Sequence, residues 1–93
     1  MLKFDCTASD GITKAPLSID LGTESVTFGL GWPAPAVVRD DTISWAGWQD
    51  QQSVTYTFFR KRGVVAESPA SEKADPDKDG QYTCTQLYPG QGS

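Results

Sequence analysis

From Thr42 to Gly63 the chain reads TISWAGWQDQQSVTYTFFRKRG, and its hydrophobicity repeats every second residue. Ile43 and Trp45 share one parity; Val54, Tyr56 and Phe58 alternate with Thr55, Thr57 and Phe59. A period of two puts alternate side chains on opposite faces of a strand, and β-branched and aromatic residues suit that pleated surface. The stretch therefore predicts a long hairpin with a polar connection at Gln49–Ser53. Its inward face carries Ile43, Trp45, Val54, Tyr56 and Phe58, so most of its aromatic mass is core. Its two ends remain as surface, Trp48 at one and Phe59 with Arg60–Arg62 at the other.

The rest of the chain offers strands of the same kind. Leu2–Thr7 alternates with Leu2, Phe4 and Cys6 inward, and Ala8–Pro16 reads as a loop with a turn at Asp10-Gly11. Leu17–Leu21 predicts a second strand, and Ser25–Leu30 a third, with Val26, Phe28 and Leu30 on one face. The glycines and prolines of Gly29–Pro35 predict a corner, because proline removes a ladder donor. Ala36–Arg39 is a short fourth strand, followed by a tight turn at Asp40-Asp41; Val64–Ala66 is a seventh. Glu67–Gly80 is charged, holds two prolines and no aliphatic residue larger than alanine, and reads as an exposed mobile loop over 67–80. Gln81–Leu87 is the last strand, with Tyr82 and Cys84 on one face, and residues 88–93 are a frayed tail. No 3.6-residue apolar period is sustained, so little or no helix is expected. Residues 1–93 thus read as a single all-β domain, a small antiparallel barrel of about seven to eight strands, with a two-layer sandwich as the alternative.

A chain of 93 residues buries only roughly 60–65% of its unfolded surface, so a covalent staple matters. Cys6 and Cys84, its only two cysteines, lie near the two chain ends. A bridge between them would tie the first strand to the last and is worth about 4 kcal/mol on the chain-entropy model; two buried free thiols are the alternative. A bridge implies an oxidising compartment, periplasmic or secreted. No charged and apolar leader precedes Leu2, so that reading expects a signal segment absent from this chain and removed in export; the alternative is cytoplasmic.

The formal net charge of −4 argues against binding nucleic acid through phosphates. No apolar run approaches the roughly 20 residues that span a bilayer as a helix, and no membrane partner is expected. Histidine is absent, which removes the imidazole base and the histidine metal ligand. Asp40 and Asp41 are neighbours in a turn and point apart, so they make no acid–base pair. An enzyme is not expected.

Three groups are candidate sites. Trp32, in the Gly/Pro corner, and Trp48, at a strand end, are binding anchors if exposed and end-caps of the barrel if not. Phe59, Arg60 and Arg62 form an aromatic–basic cluster at a hairpin end, either a partner-binding patch or an edge guarded by charge. Asp75, Asp77 and Asp79, followed by Gly80, match the first half of a calcium loop; the twelfth position, where a bidentate glutamate belongs, is Gln86. Calcium is the cofactor this half-loop would take, and an acidic solvated turn is the plainer reading.

Phe4-Asp5-Cys6 near the start, Ile43-Ser44-Trp45 at the centre and Tyr82-Thr83-Cys84 near the end give a pattern that resembles the bacterial periplasmic inhibitors of c-type lysozyme. The resemblance implies a small antiparallel barrel with a cysteine bridge, an extracytoplasmic location and a protein partner. The family's inhibitory serine-glycine pair followed by a tyrosine has no counterpart here, so the resemblance carries over no inhibitory residue. The expected function is a non-enzymatic extracytoplasmic binding protein that inhibits a hydrolase such as lysozyme. Two alternatives stand beside it: a cytosolic phage- or mobile-element-encoded protein that blocks a host factor, and a structural calcium-binding module.

Overall fold

A computed structural model of the chain describes residues 2–29, 33–49, 51–69, 75 and 80–87, with only the backbone of Trp48 and Gln49. Among the described residues there are eight strands and no helix: β1 (Leu2–Ala8), β2 (Lys14–Asp20), β3 (Ser25–Phe28), β4 (Ala34–Val38), β5 (Thr42–Gln49), β6 (Gln52–Phe59), β7 (Val64–Pro69) and β8 (Gly80–Leu87). Each pairs antiparallel with the next and β8 pairs back to β1, so the sheet is a closed barrel in sequence order. Closure leaves no free edge, which rules out the two-layer sandwich.

The inward parity of each strand builds the core. Cys6, Leu17, Ile19, Val26, Ile43, Phe58 and Val65 are almost fully excluded from water, and Trp45, Val54 and Tyr56 join them. β5 and β6 run in register from Thr42↔Phe59 to Gln49↔Gln52, so the connection is two residues long, shorter than the loop expected at Gln49–Ser53. Cys6 and Cys84 stand opposite each other on β1 and β8 and are joined in a disulfide across a sequence separation of 78. The bridge lies on the seam where the first strand meets the last.

Strand boundaries depart from the expected ones in several places, the larger shifts for local reasons. β2 begins at Lys14, so the loop after β1 shrinks to residues 9–13. Pro16 is tolerated because its carbonyl accepts from the Gly29 N–H, beyond the last β2–β3 register pair, Leu17↔Phe28. A strand residue's N–H and C=O point to the same neighbour, so the missing donor of Pro16 faces a place where β3 has already ended. Leu21, expected to end the second strand, lies beyond β2 and is 43% exposed. The Asp20 carboxylate accepts from the Gly22 and Thr23 N–H groups and turns the chain before Leu21 can enter the sheet.

β4 starts at Ala34 and includes Pro35, but it shares only two register pairs with β3, as the prolines lead one to expect. β7 continues through Glu67 and Ser68 to Pro69, three residues into the stretch expected to be loop, because these residues pair with Val54–Tyr56 of β6. Of the remainder of 67–80, Asp75 is exposed and Gly80 opens β8. Residues 70–74 and 76–79, Leu30 and the tail 88–93 lie outside the described residues.

Candidate functional site

The strand order gives the barrel two ends. At one end the chain turns at 21–24, 39–41 and 60–63; at the other it turns at 9–13 and 50–51. The Trp48 backbone and the aromatic–basic cluster fall on opposite ends. The backbone of Trp48 pairs with Ser53, near the 50–51 turn, whereas Phe59 pairs with Thr42 at the far end of the same hairpin. Six residues of strand separate the two levels, about 20 Å at the usual rise. Trp32 and the side chain of Trp48 lie outside the described residues.

The first end is a basic rim. Arg39, Arg60, Lys61 and Arg62 are exposed on two adjoining turns. The turns are joined by the Arg60 N–H donating to the Asp41 carbonyl at 2.9 Å, and Arg39 N–H donates to the Thr42 carbonyl at 2.8 Å. Arg60 Nη1 donates to the Arg39 carbonyl at 3.4 Å, and Lys61 Nζ lies 3.5 Å from the Asp41 carboxylate. Gly63 has φ 67°, the left-handed backbone that glycine adopts freely, and its carbonyl accepts from the Cys84 N–H at 2.6 Å, which anchors the rim to the bridged seam. Phe59 is half-buried on the outer face, flanked by Thr42 and Val64 in register. The rim carries four cations against two carboxylates, Asp40 and Asp41, an excess of +2 in a chain of net charge −4. The rest of the chain therefore carries −6.

The second end is built differently. Beneath it Phe28, Trp45, Tyr56 and Tyr82 form an aromatic cluster. Trp45 and Tyr56 are stacked at 5.7 Å, and Phe28 meets Tyr82 edge-on at 5.1 Å. Gly47 gives the Tyr56 ring its place, since a Cβ there would run into ring carbons. A solvent-open cleft of about 170 Å³ lies over this cluster, between Ala34, Ala46 and Gly47.

Above it, the Asp10 carboxylate holds the 9–13 loop. Oδ1 accepts from the Ile12 N–H at 2.7 Å and the Thr13 N–H at 2.8 Å, and Oδ2 accepts from Thr13 Oγ1 at 2.8 Å. These bonds, the Thr13 N–H first, hold the Asp10 carboxyl below its ordinary pKa. Gly11, at φ 75°, closes the turn. The sequence marks the turn at Asp10-Gly11 but not its consequence, the exposure of Ile12. The readable signal was an aspartate with a threonine three residues on, the pattern of a side chain that replaces a backbone partner.

Asp75 is the only one of the three candidate calcium ligands in the described part, and it is exposed; Asp77 and Asp79 lie outside it. Among the described residues no group of three or more acidic, cysteine or histidine side chains is placed to hold a metal ion. Both ends therefore offer contact chemistry: guanidinium and ammonium groups at one, a held apolar tip at the other. Comparison with known proteins found no matching family model, no matching curated protein and no matching solved structure.

Proposed function

We propose that the protein is an extracytoplasmic binding protein that inhibits a hydrolase of the c-type lysozyme class by occupying its surface. The observation that supports this reading is the Cys6–Cys84 bridge joining β1 to β8 of a closed eight-stranded barrel. It gives the architecture that the resemblance implies, and it brings Phe4-Asp5-Cys6 and Tyr82-Thr83-Cys84 side by side, in register. A disulfide of this kind persists in an oxidising compartment, where such hydrolases act on cell walls. A rigid barrel binds through its hairpin ends without changing shape, as inhibitors do in general.

The test is a titration of the purified protein into a purified c-type lysozyme, followed by the rate at which a bacterial cell-wall suspension clears. The expected result is suppression that saturates near one equivalent, with matching heat of binding in calorimetry. Full lysozyme activity at tenfold excess, with no heat of binding, removes the proposal.

A further inference from the structure

We infer that the β1–β2 loop, residues 9–13, is the element that enters the partner, seating Ile12 in an apolar pocket of a cationic hydrolase. The inference rests on the inhibitor reading above and assigns it an end of the barrel.

Ile12 is 83% exposed, against 55% for Val37, 49% for Leu87 and 43% for Leu21, the other exposed large hydrophobic residues among the described residues. An isolated exposed aliphatic residue is ordinary. The frame around this one is not. Besides the three bonds to the Asp10 carboxylate, Ala8 N–H donates to the Thr13 carbonyl at 2.7 Å, Gly11 N–H to the Ala8 carbonyl at 2.9 Å and Ser9 N–H to the Gln81 carbonyl at 3.0 Å. The last of these fastens the loop to β8, next to the bridged seam. A side chain held out on a fixed backbone loses little further freedom on docking, which is what a binding loop needs.

The net charge of −4 favours a cationic partner. The four rim cations share their end of the barrel with Asp20, Glu24, Asp40 and Asp41, so the held Ile12 is what marks the 9–13 end as the leading one. The rim cations have a local explanation: Arg60 and Lys61 tie the 60–63 turn to the 39–41 turn. They guard and brace that end of the barrel.

The experiment is calorimetry of the intact, oxidised protein against a purified c-type lysozyme of net positive charge, at low and high salt. Ile12→Asp at this exposed site leaves the fold intact and is expected to weaken binding by about 30-fold or more, as loss of a central anchor does. Asp10→Ala frees the loop while keeping Ile12 and is expected to weaken binding by about tenfold. The double variant Arg60→Glu/Arg62→Glu is expected to bind as well as or better than the parent. An Ile12→Asp protein that binds like the parent overturns the inference and leaves the inhibitor reading standing. Loss of binding in the arginine variant with Ile12→Asp intact also overturns it and moves the site to the rim. A parent protein that does not bind the lysozyme overturns both.

Discussion

At one end of this barrel the chain turns on arginine and lysine; at the other it turns on an aspartate carboxylate and holds out an isoleucine. Both turns join antiparallel neighbours, and both use a left-handed glycine, Gly63 in one and Gly11 in the other. They differ in what fixes them. The basic rim adds to its backbone bond between turns charged side chains that reach across to the neighbouring turn, with their heads in water. The 9–13 loop is braced mainly from within, by one carboxylate and its own backbone, with one bond to β8. The lesson concerns adaptability. Exposed cations move and are screened, whereas a loop folded around its own carboxylate keeps its shape in the absence of a partner.

The comparison assumes that both ends share one rigid frame, and the bridge is its fastener. Replacing Cys6 and Cys84 with serine frees a chain crosslinked across 78 positions and is expected to cost about 4 kcal/mol. For a domain this small that lowers the melting temperature by roughly 15–30 °C. Thermal unfolding with and without reductant measures it; an unchanged melting temperature would mean that strand pairing alone closes the barrel. Packing is the next test. Phe58 is 2% exposed and lies 4.8 Å from Phe4, so Phe58→Ala leaves a cavity and is expected to cost about 3 kcal/mol. At the aromatic end the limit is crowding. Gly47→Val drives a side chain into the Tyr56 ring, which the Trp45 ring backs, and is expected to cost about 2 kcal/mol. A neutral Gly47→Val would show that the cleft over this cluster can take up the displaced ring and that the aromatic end is looser than the other.

Side-chain parity was legible because it follows from the pleat. Ile43, Trp45, Val54, Tyr56 and Phe58 all point inward and are all at least nine-tenths buried, as alternation predicts. The cysteine pairing was legible for a related reason: two strand-like runs at the chain ends must meet if the sheet closes. Strand ends were not. Lys14–Pro16 joins β2, Glu67–Pro69 joins β7 and Leu21 leaves β2 because of where a neighbouring strand stops or a carboxylate captures an N–H group. Those are facts about partners, and a period of two carries no information about them. The candidate site divides in the same way. The basic turn at Arg60–Arg62 was visible as composition, while the Ala8–Pro16 loop was visible without the exposure of Ile12, which depends on hydrogen bonds made by its neighbours.

The two turns should also respond differently to acid. The Asp10 carboxyl is held below its ordinary pKa by the Thr13 and Ile12 N–H groups and the Thr13 hydroxyl. A depressed folded pKa means that the contribution of these bonds is present above the unfolded value and lost as pH falls through the folded one. At neutral pH the loop is therefore fully held, and it loosens only below the ordinary aspartate range. An NMR titration from pH 6 to 2 is expected to move the Ile12 and Thr13 amide resonances together at the acid end, with Asp10→Asn removing the step. If those amides shift with the bulk carboxylates, the carboxylate does not hold the loop and the contrast between the ends weakens.

The smallest effect is expected where the eye first goes, at the Lys61–Asp41 ion pair of the basic rim. Lys61 and Asp41 lie 3.5 Å apart, but their side chains are 85% and 69% exposed. Water and salt screen such a pair, and fixing two solvated side chains costs most of what their attraction returns. Lys61→Ala is therefore expected to change stability by less than about 0.5 kcal/mol, and by less still at high salt. Chemical denaturation at two ionic strengths measures it. A loss above about 1 kcal/mol would show that the rim is a rigid structure in its own right, with its cations held in place like the 9–13 loop. It would then present a fixed surface, and the argument that the rim merely guards its end of the barrel would fail.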